Sequence, residues 1–318
     1  MRFSDLVLIL LLQHNFIKYK KGVHQNEPQL QYQRKRRTIY GRWTMTYQHK
    51  ENGIIETRLR VLTWNIWWRF GPWQQRRPAI AATLKMLDAD IIALQEVWSD
   101  EATNLAAELA AELAYHHVFE WSMDIKSVGL GNALLSRWPI RRHDAIALHG
   151  KKETGEGRVA LFAEIDGPRG LIPIFSTHLN WKFEHSHIRQ RQVTDLAHFV
   201  DSMRPWSFPP IVCGDFNADP SSEEIRMLKG LTTCPVEGLF FHDAWSFAGE
   251  SGAGMTWDNA NPYVAVKLEP DRRIDYILVG WPSARGAGHI LKCKVTGNEP
   301  VDDVWPSDHH AVLTELRY

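Results

Sequence analysis

The chain has 318 residues, 44% of them hydrophobic and 11% aromatic, and its 37 Lys and Arg balance 37 Asp and Glu. This composition is typical of a globular protein and excludes a disordered, collagen-like or disulfide-scaffold chain. Three cysteines without a Cys-x-x-Cys pair fit a reducing compartment, so a cytoplasmic location is expected.

Basic residues are concentrated at the amino terminus. Residues 1–60 carry 12 Lys and Arg against 4 Asp and Glu, which leaves 25 against 33 in the rest of the chain. We interpret residues 1–56 as a poorly structured basic extension, with nucleic-acid or anionic-lipid binding by residues 34–37 (RKRR) as the alternative. The apolar run at 6–12 (LVLILLL) is too short to span a membrane and minimal as a signal peptide, so secretion stays a weaker possibility. No transmembrane segment is predicted.

From residue 57 onward the pattern alternates between strands and helices and predicts one domain over 57–318. Helical spacing of apolar residues predicts helices over 78–87, 100–114, 184–203 and 222–228. Strands are predicted over 58–66, 91–94, 115–120, 133–136, 145–148, 159–165, 171–177, 211–215, 274–279, 290–295 and 311–316. Several strands follow one another without a helix between them. This favours an α+β fold with two packed sheets and outer helices over a doubly wound parallel sheet.

Six short polar clusters lie at the ends of predicted strands or inside them. They are residues 63–65 (TWN), 94–97 (LQEV), 176–180 (STHLN), 214–219 (GDFNAD), 273–277 (RIDYI) and 307–309 (SDH). Any one of them could be a turn or a cap, because Asp and Asn are favoured where strands end. A carboxylate inside an apolar strand, as in RIDYI, indicates function more strongly because a buried carboxylate needs a partner.

Taken in this order, the six clusters resemble the motifs of the endonuclease/exonuclease/phosphatase superfamily, the metal-dependent fold of the DNase I and neutral sphingomyelinase type. The resemblance covers residues 58–318 and fills each signature position. These positions are Asn65, Glu96, His178, Asp215, Asn217, Asp275, Asp308 and His309. The resemblance implies a DNase I-like four-layer αββα sandwich, in which two mixed β-sheets are flanked by helices and the site lies at one end of both sheets.

The residue types at these positions suit a hard cation. Oxygen ligands without sulfur favour Mg²⁺ or Mn²⁺. We predict Asn65 and Glu96 as direct metal ligands, with Asp308 binding directly or through water.

The other matched residues are expected to act on a phosphoester. His178 and the amide of Asn217 would hold phosphoryl oxygens, while Asp215 would orient or deprotonate the attacking water. His309 could share that task or hold the phosphate, with Asp275 fixing its tautomer. The sequence leaves open which of Asp215 and His309 accepts the proton.

Three functions are compatible with these motifs: hydrolysis of a small or lipid phosphoester, a nuclease, and a non-catalytic interaction module. The third is disfavoured because no signature position is missing. A nuclease would need a local basic strip, for which the candidates are Arg69, Arg76, Arg77, Lys126, Arg141 and Arg142. The acidic balance of the domain and the tryptophans beside Asn65 (Trp64, Trp67, Trp68 and Trp73) favour a small or lipid substrate, although core packing is the simpler role for these rings.

Overall fold

Residues 57–318, which the computed structural model describes, contain twelve strands in two six-stranded sheets. In chain order the strands are β1 (Arg58–Asn65), β2 (Ile91–Ser99), β3 (His116–Ile125), β4 (Val128–Ser136), β5 (Ile140–Ala147), β6 (Val159–Gly167), β7 (Gly170–His178), β8 (Ile211–Asp215), β9 (Phe241–Asp243), β10 (Asp275–Gly280), β11 (Ile290–Thr296) and β12 (Ala311–Arg317). The first sheet has the order β11-β12-β1-β2-β4-β3 and the second the order β5-β6-β7-β8-β10-β9. The predicted extension, residues 1–56, lies outside the described residues.

Short helices connect the strands. They are α1 (Trp73–Leu87), α2 (Leu105–Leu113), α3 (Lys151–Thr154), α4 (Ser186–Ser202), α5 (Glu223–Leu228), α6 (Ala244–Ala248) and α7 (Pro262–Ala265), and a 3₁₀ turn at Phe183–His185 precedes α4. Between residues 57 and 318 no helix has both the length and the apolar character needed to cross a membrane.

Alternate side chains of each strand point to opposite faces, and this alternation creates three buried apolar layers. Val61 of β1 and Ile174 of β7 belong to the core between the two sheets. Leu62 faces the other way and packs with Ile80 of α1, while Phe175 packs against α4 on the second sheet. The order is helix, sheet, sheet, helix, so the predicted four-layer αββα sandwich is confirmed.

The pairing of the strands gathers the polar clusters at one end of the sandwich. Each sheet includes a parallel pair, β1 with β2 and β7 with β8. The carboxyl ends of parallel strands meet at the same edge of a sheet. In the first sheet Asn65 lies beside Gln95, and in the second Asp215 lies between His178 and Asp275.

Gly214 sets the close approach of β7 and β8 at this end. Its φ is +146°, and a Cβ atom there would lie 2.0 Å from the carbonyl oxygen of Thr177. Only glycine fits this backbone. The residue therefore keeps Asp215 beside His178.

Two predicted helix boundaries are wrong by several residues. The helix predicted over 78–87 begins at Trp73, and Pro78 lies inside it, where the missing N–H costs one helical hydrogen bond. The helix predicted over 100–114 begins only at Leu105, because Asn104 caps α2 by accepting a hydrogen bond from the N–H of Ala107.

Strands at the sheet edges also extend further than predicted. β3 and β4 form a hairpin whose turn, Lys126 and Ser127, has φ values of +50° and +65°, beyond the predicted strand limits at 120 and 133. β5 begins at Ile140, before the predicted start at 145. Its first residues are polar because one edge of this strand faces solvent.

Candidate active site

All eight predicted site residues come together at the end of the sandwich that contains the carboxyl ends of β1, β7 and β8. Asn65 links the two sheets, because its Nδ2 donates to Glu96 Oε1 at 3.1 Å and to Asp215 Oδ2 at 3.0 Å. Asn65 and Asp215 are almost completely buried, and Glu96 is 16% exposed. Three residues that are far apart in sequence thus form one hydrogen-bonded unit.

A second unit joins a histidine to two carboxylates. His309 Nδ1 lies 3.0 Å from Asp275 Oδ2, and His309 Nε2 lies 3.8 Å from Asp215 Oδ2. Burial alone would lower the pKa of His309, but Asp275 and Asp215 raise it to about 10. Burial and the neighbouring Asp275 raise the pKa of Asp215 to about 7. His309 is therefore cationic at neutral pH and donates through Nδ1 to Asp275.

His178 is held in the opposite state. Arg158 donates to its Nδ1 at 3.0 Å, and because arginine only donates, the proton of neutral His178 lies on Nε2. Burial and then Arg158 lower the pKa of His178 well below its usual value. Nε2 lies 3.5 Å from Asp215 Oδ2, so His178 presents a neutral N–H donor to the centre of the site.

Arg158 is absent from the residues predicted from sequence. Arg158 Nη2 donates to Glu156 at 3.0 Å, and Glu156 also accepts from Asn180 and Trp181. Asn180, which follows the predicted cluster of His178, is fully buried in this network and lies off the cavity. A structural role in the loop fits this position.

Two site residues have left-handed backbone conformations. Glu96 has φ +55° and lies in a β-bulge where the pairing of β2 with β4 shifts between Leu94 and Val97. Asn217 has φ +51°. Bulges and positive φ at residues other than glycine re-aim side chains and are typical of functional positions. Here the bulge turns Glu96 toward the cavity.

The side-chain amide of Asn217 hydrogen-bonds within the site, and its contact with phosphoryl oxygens stays a prediction. Its Nδ2 donates to the carbonyl oxygen of Leu179 at 3.1 Å, and its backbone N–H donates to Asp215 Oδ1 at 2.8 Å. Asn217 lines the cavity, but these contacts serve first to position Asp215 and the loop after β7.

The loop before β12 is fastened to β1. Ser307 Oγ donates to the carbonyl oxygen of Asn65 at 2.7 Å, and Trp64 Nε1 donates to the carbonyl oxygen of His309 at 2.9 Å. Asp308, between them, is buried, and its Oδ2 accepts from Lys267 Nζ at 3.0 Å. The predicted ligand therefore has a lysine partner that sequence analysis did not identify.

Arg76 fixes the loop that follows β1. Its guanidinium is fully buried and donates six hydrogen bonds, of 2.7 to 3.2 Å, to backbone carbonyl oxygens. The acceptors are Ile66, Trp67, Trp68, Phe70 and Pro306. Burial lowers the pKa of Arg76 to about 10, so the side chain remains charged at neutral pH.

A cavity of about 500 Å³ opens over these residues. One part of its lining is apolar and consists of Trp67, Phe70, Met123, Ile125, Leu130, Trp181 and Trp257. Of the four tryptophans near Asn65 only Trp67 lines it, because Trp64 and Trp68 are buried in the core beneath α1 and Trp73 packs against that core. Trp67 therefore contributes to the cavity wall, and the other three tryptophans contribute to core packing.

The predicted basic strip is wrong for Arg76, and its other members lie outside the cavity lining. Arg76 is a buried structural residue, and Arg69 and Arg77 form ion pairs with Asp100 and Glu108. Arg141 and Arg142 lie on β5 and pair with Glu164. None of these residues, nor Lys126, lines the cavity.

The donor set fits a hard divalent cation. Glu96 Oε2 and Asp275 Oδ1 are buried, and no donor from residues 57–318 reaches either oxygen. Burial and then Asp308 raise the pKa of Glu96, and these two effects outweigh the hydrogen bond from Asn65 and the positive charges of His309 and Arg158. Asp215, Asp275 and His309 also place ligand atoms within 4.8 Å of one another. His309 and Asp275 already hydrogen-bond to each other, so the free oxygen of Glu96 is the better ligand.

Comparisons with known proteins agree with this geometry. A model of the Endonuclease/Exonuclease/phosphatase family matches residues 62–309. A candidate neutral sphingomyelinase of Drosophila melanogaster is 26% identical over 294 residues, which cover 83% of this chain and 62% of that protein. A candidate neutral sphingomyelinase of Caenorhabditis elegans is 25% identical over 302 residues, which cover 82% of this chain and 67% of that protein. The chain therefore spans about two thirds of the length of these curated relatives.

The same fold occurs among solved structures. An endonuclease/exonuclease/phosphatase from Beutenbergia cavernae DSM 12333 superposes with a TM-score of 0.63 at 24% identity, over 82% of this chain and 72% of that chain. At this level of identity the likeness concerns the fold alone.

Proposed function

Because the chain belongs to the endonuclease/exonuclease/phosphatase family, we propose that it hydrolyses phosphoester bonds with the help of a divalent cation. The observation that carries this proposal is the buried group of Glu96, Asp215 and Asp275, whose carboxylates have no arginine partner among residues 57–318. The three carboxylates share one internal cation, His309, so the binding of a further positive charge is favoured there.

Glu96, Asn65 and Asp308 are the residues proposed to hold the cation. All offer oxygen atoms, and that of Asn65 also accepts from the backbone N–H of Trp67 at 2.9 Å. Mg²⁺ or Mn²⁺ bound there would polarise a phosphoryl oxygen and neutralise the charge that develops on it. The free Glu96 Oε2 supports this assignment.

Asp215 is proposed as the group that accepts a proton from the attacking water. A pKa of about 7 makes it more basic than an ordinary aspartate while leaving it ionised at neutral pH to a substantial extent. Cationic His309 would then donate through Nε2 to the phosphate or leaving group, with Asp275 fixing its ring. His178, neutral and protonated at Nε2, would donate to a phosphoryl oxygen.

The substrate is proposed to carry an apolar group next to its phosphoester, as a lipid or an aryl ester does. The wall of Trp67, Met123 and Ile125 supports this choice because it offers apolar contact beside the carboxylates. The names of the relatives from Drosophila and Caenorhabditis point in the same direction. A nucleic-acid substrate is the alternative, and the absence of the predicted arginines from the cavity lining weighs against it.

The test is a substrate panel assayed with the full chain before and after chelation. Sphingomyelin in mixed micelles, bis(p-nitrophenyl) phosphate, inositol phosphates, plasmid DNA and an abasic duplex cover the candidate classes. We expect hydrolysis of a lipid or aryl ester, loss of activity with EDTA, and recovery with Mg²⁺ or Mn²⁺. Activity that survives exhaustive chelation would contradict the metal assignment. DNA cleavage at physiological salt, with kcat/KM falling steeply as salt rises, would instead identify a nuclease.

A further inference from the structure

Residues 261–269, which include α7 and the start of the loop to β10, contribute Lys267 and Glu269 to the cavity lining and are fastened near both ends. Asn261 is fully buried, and its Nδ2 donates to the carbonyl oxygen of Ser307, next to Asp308. At the other end, Asn259 Nδ2 donates to the carbonyl oxygen of Glu269 at 2.8 Å and to Asp271 Oδ1 at 2.7 Å. Residues 261–269 therefore hold a defined position over the site.

This loop presents Lys267 to the carboxylates. Lys267 Nζ lies 3.0 Å from Asp308 Oδ2, 4.2 Å from the centre of the Trp257 ring and 5.6 Å from that of Trp67. Its neighbours Val266 and Leu268 are 78% and 90% exposed, so they extend away from the site while Lys267 lines the cavity. The faces of the two aromatic rings and the Asp308 carboxylate together favour a positively charged side chain at this point.

Lys267 differs from the two arginines that also line the cavity. Arg158 is held by His178 and Glu156, and Arg272 donates to Asp219 and to the carbonyl oxygen of Asn217. The ammonium group of Lys267 has three donors and makes one hydrogen bond among residues 57–318, to Asp308. The flexible stem and the two remaining donors leave Lys267 free to take a second partner.

We propose that Lys267 exchanges partners during the reaction: it neutralises Asp308 in the metal-free protein and donates to a non-bridging oxygen of the substrate phosphoester once Asp308 is bound to a divalent cation. This inference rests on the proposed function, because it takes a phosphoester as substrate and Asp308 as a ligand. Lys267 would thus be a substrate-binding residue, and in the metal-free protein a competitor for the cation.

The experiment compares Lys267→Met and Lys267→Arg with the unchanged chain. Mn²⁺ affinity is measured without substrate, by calorimetry or by the paramagnetic resonance signal of free Mn²⁺, and kcat and KM are measured on the best substrate of the panel. Lys267→Met should bind Mn²⁺ about tenfold more tightly, because a nearby positive charge and a competitor for Asp308 are removed. Its KM should rise about tenfold, with a smaller change in kcat, because a charge-assisted hydrogen bond to the phosphate is lost. Lys267→Arg should keep the original Mn²⁺ affinity.

Lys151→Met is the matched control. Lys151 also lies over an aromatic ring, 5.6 Å from the centre of Trp121, but it does not line the cavity. This variant should leave Mn²⁺ affinity and KM unchanged. If Lys267→Met fails to fold, Lys267→Gln takes its place in the same measurements.

The experiment distinguishes failure of the proposed function from failure of the inference about Lys267. If the unchanged chain binds no Mn²⁺ and cleaves no ester of the panel, the proposed function fails. If it does both, and the Lys267 variants show unaltered Mn²⁺ affinity or unaltered KM, the inference about Lys267 is overturned while the proposed function stands.

Discussion

Two buried acidic clusters lie at the start of β10, and they have opposite electrostatic character. Asp243 receives two hydrogen bonds from Arg273, at 3.1 and 2.8 Å, and one from Ser246. Asp275 lies two residues after Arg273. Among the described residues its carboxylate hydrogen-bonds to one side chain, His309, and its Oδ1 lacks a donor. Burial would raise the pKa of Asp243, but Arg273 lowers it below its usual value. The pKa of Asp215, beside Asp275, is instead raised to about 7.

The difference separates a residue that holds the fold from one that serves a ligand. A buried ion pair with a bidentate arginine is complete within the chain, so its removal should affect stability first. A group of buried carboxylates that shares one histidine is incomplete, and its repulsion is a cost to the folded state. Such a group persists where function requires it.

The largest expected effect concerns Asp243 and Arg273, whose ion pair is complete within the chain. Arg273→Met should lower the free energy of unfolding by about 3 to 5 kcal/mol, because it leaves Asp243 buried without its main partner. The loss should be greatest above the unfolded pKa of Asp243, near 3.8, and should shrink as pH falls and the carboxylate becomes protonated. Urea denaturation measures this change, and Arg285→Met, at an exposed position, serves as control. A loss below about 0.5 kcal/mol would mean that the pair does not stabilise the fold.

The second prediction concerns the buried carboxylates Asp215 and Asp275, which share His309. Asp215→Asn should lower kcat by at least about 100-fold, since the proposed proton acceptor is lost. The metal-free variant should unfold at the same temperature as the unchanged chain or a higher one, because one buried negative charge is removed. Steady-state kinetics and a thermal melt in EDTA measure the two quantities. A variant with near-normal kcat would remove Asp215 from the mechanism, and a large fall in melting temperature would remove the contrast with Asp243.

A third and smaller effect is expected when a divalent cation binds to the carboxylates of the site. At ten times its dissociation constant, Mg²⁺ should stabilise the chain by about 1.4 kcal/mol, because only the folded state has the site. Glu96→Gln should reduce this gain, whereas Arg273→Met should retain it despite its lower starting stability. Thermal melts with and without Mg²⁺ distinguish these cases. An equal gain in unchanged chain and Glu96→Gln would exclude Glu96 as a ligand.

The smallest expected effect is the number of protons released when Mg²⁺ binds. With a pKa of about 7, Asp215 is largely protonated at pH 6 in the metal-free protein and largely ionised at pH 8.5. A divalent cation favours the ionised form, so Mg²⁺ binding should release up to about one proton at pH 6 and much less at pH 8.5. Calorimetry in buffers of different ionisation enthalpy measures this number. Equal release at both pH values would show that Asp215 does not titrate with the site.

The resemblance of the six motifs to the family predicted the sandwich and the eight site residues, and strand pairing places those motifs at one end of the two sheets. Glu96 and Asp215, for example, follow runs whose side chains fill the sheets, and strand pairing then fixes their position. The roles assigned to these residues stay predictions.

The residues that surround the motifs could not be found in this way. Arg158 contacts His178 across 20 residues, and Lys267 contacts Asp308 across 41, so no local spacing connects either pair. Arg76 was a candidate for a surface basic strip. The folded path of the loop after β1 brings four backbone carbonyl groups around it, and Pro306, in the loop before β12, supplies a fifth.

Arg76 has a consequence for how ligands are recognised. The loop it binds carries Trp67 and Phe70 into the cavity wall, and five hydrogen bonds from Arg76 hold that loop before any substrate arrives. The conformational entropy of this part of the wall is therefore lost during folding and not during association, so a rigid apolar group can be bound without a further ordering cost. Complementarity of shape at this wall should discriminate between substrates more strongly than induced fit does.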